Sequence, residues 1–307
     1  KELKDINYIA KELRQVGFNL QQLIEVGFTL QNLKDAEFSA VQLRRPYEDD
    51  SLNTFTLDDL ISVNFTASDL KNAEYLASEL KDKGFTLNQL VLANYTIQNL
   101  KDAEFTALEL VTEDSVRFNL SSLIGVNYTA SDLKNANFSS GDLKNSSRSP
   151  PFTLIDLIEA GYTPSELKTD ASYSATELRN VQNNNNINYY SLSDIIGAGY
   201  NLLELKQAGY TAKELNTYDS SIYTLIAFNS VDFIVSQLKE AGYTAKELYN
   251  LDSNKYNLTV LDGAGYTTKN LYDVGVFTAL QLITINSSVH NLSSLDNVGY
   301  TPINLKD

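Results

Sequence analysis

Phe65 to Glu74 reads FTASDLKNAE, and the same ten-residue pattern recurs along the chain. The pattern is aromatic, Thr, Ala or Leu, any residue, acid or amide, Leu, Lys, any residue, Ala, and Gly or Asn. Tyr210 to Leu215 and Tyr243 to Leu248 both read YTAKEL. A repeat this short cannot close a core of its own and must stack on its neighbours, which specifies a solenoid.

Each copy carries the signals of a complete helix. Thr, Ser or Asn after the aromatic is a good N-cap. An acid or amide three residues on completes a capping box, as in Thr211 with Glu214, Thr244 with Glu247 and Thr163 with Glu166. The aromatic then precedes the cap, and Leu falls where a hydrophobic staple needs its partner. Tyr210 with Leu215 and Phe65 with Leu70 are examples. Pro164 and Pro302 stand at the first helical position, where proline is favoured. Gly161, Gly199, Gly209, Gly242, Gly265, Asn64 and Asn127 close their copies with residues that tolerate the left-handed stop. The pattern predicts an all-α solenoid or superhelix of short two-turn helices, over residues 1–307 as a single continuous repeat array.

A longer period overlies the short one. Copies that read aromatic, polar, Leu begin at Phe18, Phe55, Phe85, Phe118, Phe152, Tyr190, Tyr223, Tyr256 and His290, between 30 and 38 residues apart. Two further copies lie between successive starts. The extra residues fall after the third copy, near 44–54, 111–117, 144–151, 179–189, 216–222, 249–255 and 283–289. This predicts three helices per coil of roughly 34 residues, with variable corners along one edge, where repeat proteins bind.

The YTAKEL and YTPSEL units, with their AG-Y and AE-F junctions, resemble the tandem decapeptide repeats of giant DNA viruses, algae and protists. The resemblance covers nearly the whole chain and brings no catalytic motif. Phe138 to Asn145 (FSSGDLKN) also resembles, more weakly, the pentapeptide-repeat proteins. That likeness implies a right-handed β-helix and an acidic DNA mimic inhibiting a topoisomerase. The helix reading is preferred, because a β-helix would turn the fourth position inward and keep it small. Here it holds Lys11, Gln21, Val41, Leu108, Lys213 and Lys246.

Composition narrows the function. The formal charge of −15 argues against binding a nucleic-acid backbone or an anionic membrane. No apolar run is long enough for a membrane-spanning helix. There is no Cys and therefore no thiolate site. There is no Met, and the array starts and stops inside a repeat, so the chain is expected to be part of a longer chain or assembly. The compartment cannot be read from these features, although an extracellular or virion-surface location is favoured over a cytoplasmic one.

Candidate chemistry is thin. His290, the only histidine, replaces an aromatic and is expected as a partly buried staple residue. Asp59, Asp69, Glu79, Glu166 and Glu177 recur at the capping-box position and serve the helix start. Glu48, Asp49 and Asp50, and Asp252 with Asn254, form acidic corners that are weak metal candidates; neither completes a calcium loop. Nine sequons occur. Asn145 and Asn286 lie in corners and are the glycosylation candidates. Asn64, Asn94, Asn127 and Asn137 are repeat terminators, and Asn119, Asn257 and Asn291 are N-caps, so the repeat itself generates these seven. No catalytic residue and no cofactor are expected. The expected function is a non-enzymatic structural or protein-interaction solenoid, with protein partners that include copies of itself, or a ligand- or glycan-binding surface on the corner edge.

Overall fold

The structure, a computed structural model, describes residues 8–44, 55–301 and 303. The chain divides into two units, Lys1–Tyr162 and Thr163–Asp307. In the first, the helices are α1 (Ala10–Gln15), α2 (Leu20–Val26), α3 (Leu30–Asp35), α4 (Ala40–Arg44), α5 (Leu57–Ser62), α6 (Ala67–Asn72), α7 (Ala77–Asp82), α8 (Leu87–Leu92), α9 (Ile97–Asp102), α10 (Ala107–Glu113), α11 (Leu120–Gly125), α12 (Ala130–Asn135), α13 (Ser140–Lys144) and α14 (Leu154–Glu159). The second holds α15 (Pro164–Thr169), α16 (Ala175–Asn180), α17 (Leu192–Gly197), α18 (Leu202–Gln207), α19 (Ala212–Tyr218), α20 (Leu225–Ser230), α21 (Val235–Glu240), α22 (Ala245–Leu251), α23 (Leu258–Gly263), α24 (Thr268–Tyr272), α25 (Ala279–Ile285) and α26 (Leu292–Val298).

Helix α6 shows why ten residues suffice. The Thr66 hydroxyl accepts the Asp69 N–H at 3.2 Å, and the Asp69 carboxylate accepts the Thr66 N–H at 2.9 Å and its hydroxyl at 2.6 Å. Six helical residues follow. Glu74 then turns left-handed at φ 65°. Its N–H donates to the Lys71 carbonyl, and the Tyr75 N–H donates to the Leu70 carbonyl. That pair of bonds is a Schellman stop. Tyr75 is thus the last residue of one stop and the residue before the next cap, Leu76. Consecutive helices with no corner between them share their boundary aromatic and have no linker.

Isolated helices this short do not persist in water. The core supplies the stability. Leu60, Leu70, Leu80, Leu90 and Leu100 in the first unit, and Leu167, Leu178, Leu205 and Leu215 in the second, are 0 % exposed. Each contributes about 2 kcal/mol of apolar transfer. The boundary aromatics and the Ala residues fill the space between these leucines.

The helical solenoid expected from the sequence is present. Among the described residues there is no strand, only an isolated bridge between Gln182 and Asn188. The right-handed β-helix is therefore wrong, and the DNA mimic loses its fold. The fourth-position side chains point outward, and Lys11, Lys213, Lys246 and Leu108 are exposed. The packing step adds what the sequence period did not show. The closest partners lie two helices apart: α1 with α3, α4 with α6, α7 with α9 and α10 with α12, and in the second unit α16 with α18 and α19 with α21. The three-element period survives as chemistry, because each of these pairs joins the third element of one coil to the second element of the next.

Candidate functional site

The step of two is held by a ladder of cations. Eleven Lys and Arg side chains follow the core Leu in their own helix and reach the C-terminal carbonyls of the helix two further on. They are Arg14, Lys34, Arg44, Lys71, Lys81, Lys101, Lys134, Lys168, Arg179, Lys206 and Lys239. Lys101 Nζ donates to the Val126 carbonyl at 2.6 Å and to that of Asn127 at 2.8 Å, and lies 5.1 Å from the centre of the Tyr128 ring. Each of the eleven stacks on the aromatic after its target helix. A cation at a helix C-terminus meets the negative end of the dipole, and the ring face adds a second attraction. Gly209 shows how close the ladder runs: at φ +85°, its added Cβ would stand 2.8 Å from Arg179 Nη1.

A second ladder uses phenols. Tyr95, Tyr128, Tyr162, Tyr200, Tyr266 and Tyr300 donate to the carbonyls of Tyr75, Phe105, Phe138, Tyr173, Tyr243 and Phe277. Burial pushes the phenols of Tyr95, Tyr128, Tyr200 and Tyr266 up to about 12.

His290 is the one exception among the boundary aromatics. It is 0 % exposed rather than partly buried. Its Nε2 lies 2.8 Å from Asp262 Oδ1, and its Nδ1 lies 2.9 Å from Thr268 Oγ1. Hydroxyl, imidazole and carboxylate in sequence have the form of a nucleophile, base and orienting acid. Thr268 is 6 % exposed, so the hydroxyl faces packed protein. One coil earlier, the same two positions hold Tyr256 and Asn229, with the phenol 2.7 Å from Asn229 Oδ1. The trio is therefore a polar version of a recurring contact, tying α23 and α24 to the start of α26.

Of the metal candidates, Asp252 and Asn254 fall among the described residues. Asp252 Oδ1 accepts the N–H groups of Asn254 and Lys255, both at 3.0 Å. Asp114, Asp219 and Asn286 make the same corner, each followed four residues on by the next boundary residue, whose N–H returns to the corner carbonyl. These four corners are tight turns. Asn254 presents its backbone there, and its carbonyl accepts from Asn257. Glu48, Asp49 and Asp50 lie outside the described residues. Among the described residues no group of three or more His, Asp and Glu could hold a metal ion.

Of the sequon asparagines, Asn145 is exposed at the end of α13, and Asn286 is half-buried, with its side chain in a corner. Asn64, Asn94, Asn127 and Asn137 are exposed left-handed stops. Asn119, Asn257 and Asn291 cap α11, α23 and α26. The amide N–H groups of Asn119 and Asn257 are also engaged, with Val116 and Asn254.

Two surface features remain. Open grooves of about 490 Å³ and 310 Å³ lie between α6 and α8 and between α12 and α14, at equivalent places two coils apart. Val181–Tyr189 forms a small finger. The Asn183 N–H donates to the Ile187 carbonyl and the Tyr189 N–H to that of Val181, and Ile187 is 60 % exposed near the tip. Sequence reasoning placed a corner here without its hairpin form. It missed the cation ladder, whose signal was Lys recurring after the core Leu in second and third elements but never in first ones.

Residues 53–115 match the family model described as a decapeptide repeat region. The chain carries a decapeptide repeat region. The matched residues span α5 to α10, whose capping boxes use Asp, Glu, Gln and Asn, and they hold the cation or the target carbonyl of five ladder rungs. The decapeptide pattern continues on both sides of the matched segment with the same caps and stops. No curated protein and no solved structure matches the chain. Among the described residues no helix of the decapeptide array is long and apolar enough to cross a membrane.

Proposed function

We propose that this chain is a non-enzymatic structural and protein-interaction solenoid. The observation that carries the reading is the use of its recurring polar groups. N-cap hydroxyls, box carboxylates and ladder cations are turned to the chain's own backbone, so the repeating residues hold the shape. The outward positions vary: the fourth residue of the second element is exposed as Gln31, Ser68, Gln98, Ser131, Ser165, Leu203 and Lys269. A fixed scaffold with changing surface chemistry suits a protein partner. The sealed Thr268–His290–Asp262 trio gives no support to catalysis.

A second copy is the first partner to test, as an end-to-end fibre or layer. Light scattering and negative-stain microscopy over rising concentration read this out. A strictly monomeric particle at the highest concentration removes self-assembly. The wider reading is tested by capture from source lysate with the chain and with a variant whose outward fourth positions are all Ser. A partner lost only in the variant supports it; none retained by either removes it.

One observation favours a second reading, a ligand- or glycan-binding edge. The finger presents Asn184, Asn185 and Asn186 to solvent, and amides suit hydroxyl-rich ligands. Replacing Gln182–Asn188 by a short Gly-Ser linker should abolish glycan-array binding; binding that survives the replacement ends this reading.

A further inference from the structure

The capping boxes are of two chemical kinds: in the first unit carboxylate boxes at α1, α5, α6, α7, α10, α12, α13 and α14 interleave with amide boxes at α2, α3, α8 and α9, whereas the second unit separates the two kinds along its length. In the second unit, α15 to α19 each place a carboxylate at the box position: Glu166, Glu177, Asp194, Glu204 and Glu214. Each accepts the backbone N–H of its cap residue, at 2.6, 2.8, 2.8, 2.7 and 2.7 Å. Four also accept the cap hydroxyl, from Thr163, Ser174, Ser191 and Thr211. Of the seven helices that follow, only α22 has such a carboxylate, Glu247. Helices α24 and α25 carry the same box with amides, Asn270 and Gln281, as do α8 and α9 in the first unit, with Gln89 and Asn99.

An amide box does not titrate. A carboxylate box does, and protonation removes its charge, weakens both accepted bonds and ends its attraction to the helix dipole. In a repeat array each element depends on its near neighbours only, so a local loss opens a local segment. We propose that Thr163–Tyr218 is an acid-gated segment of the second unit, which opens on acidification while the amide-boxed α24 and α25 of the same unit stay closed.

The charged and titratable groups that face these boxes agree with the direction. Lys168 Nζ is 3.8 Å from Glu204, and Arg179 Nη2 is 3.8 Å from Glu214; both attractions end when the carboxyl is neutral. Tyr173, Tyr190, Tyr200 and Tyr210, which also lie beside these boxes, have raised phenols and are neutral throughout the acid range. The Ser191 hydroxyl holds Asp194 below the usual carboxylate range. For Glu214 burial acts upward, but the Thr211 N–H and hydroxyl with Arg179 hold it low. Each lowered group contributes stability above its unfolded pKa that is lost as pH falls through its folded one. Near the control helix α24, His290 contacts Thr268 in either protonation state, because a hydroxyl both donates and accepts.

Hydrogen exchange with mass spectrometry, corrected for intrinsic rates, tests this on the whole chain at pH 7 and below pH 4. Protection over 164–218 should fall at least tenfold more than over α24 and α25. A uniform fall across these segments would falsify the proposal. The variant E166Q/E177Q/D194N/E204Q/E214Q keeps the box geometry the chain already uses and should abolish the difference. A difference that persists in it also overturns the proposal. Should that variant not fold, E177Q and D194N singly must each shrink the difference, and no change in either sinks the idea.

Discussion

At the scale of single residues, local rules are broken in a few places. Glu74 and Glu104 hold left-handed φ values of 65° and 58°, where glycine has no steric conflict, and both sit at the negative end of a helix. Sequence reasoning looked for Gly or Asn at these stops and passed over Glu, because the hydrogen bonds of the Schellman turn impose the conformation whatever the residue. Glu74→Gly should therefore raise stability by about 1 kcal/mol in urea unfolding. His290 breaks a rule that the structure then explains. His290→Phe restores the usual ring but leaves the Asp262 carboxylate, 13 % exposed, without its partner, and should cost about 2–3 kcal/mol. Adding Asp262→Ile, the residue type this position holds in α5, α11, α14 and α17, should recover most of the loss. Additive losses in the double-mutant cycle would contradict the pairing. The pair is 28 residues apart and could be found in the sequence only by noticing that Asn229 with Tyr256 and Asp262 with His290 change together.

At the scale of the element, the helix start and stop were legible because both are local. Thr66, Asp69 and Leu70 act within one turn. The step of two was not legible, since periodicity says which residues are equivalent and not which helices touch. The ladders carry that information, and they can be tested. Lys101→Met keeps the stem over Tyr128 but removes the bonds to the Val126 and Asn127 carbonyls, and should cost about 1–2 kcal/mol. The phenol ladder predicts an alkaline limit. Tyr95, Tyr128, Tyr200 and Tyr266 are raised by burial to about 12, above an unfolded value of about 10. Their stabilisation is complete below pH 10 and is lost as pH rises towards 12. Circular dichroism and tyrosinate absorbance should change together across that window; tyrosinate forming near pH 10 with the helix signal intact would show the phenols are not held as described.

At the scale of the whole molecule, the three-element chemistry sets which deletions the array tolerates. Removing Phe85–Arg117 joins Gly84 to Phe118, so Lys71 finds Tyr128 in place of Tyr95 and Lys81 finds Phe138 in place of Phe105. Removing only Tyr95–Glu104 leaves Lys81 facing the end of α10, which runs into a corner. The longer deletion should melt within a few degrees of the parent by circular dichroism, and the shorter one well below it; the reverse order would show that the ladder does not set the register. The cation ladder has one more effect, on the solvent outside. Eleven of the chain's 24 Lys and Arg residues point at its own carbonyls and rings. The mobile ions around the molecule therefore meet exposed carboxylates such as Asp35, Glu74, Asp102 and Glu104, and gather as a counter-ion cloud about 8 Å deep at physiological ionic strength. Two such clouds repel, so added salt, by thinning them, should let copies approach rather than drive them apart.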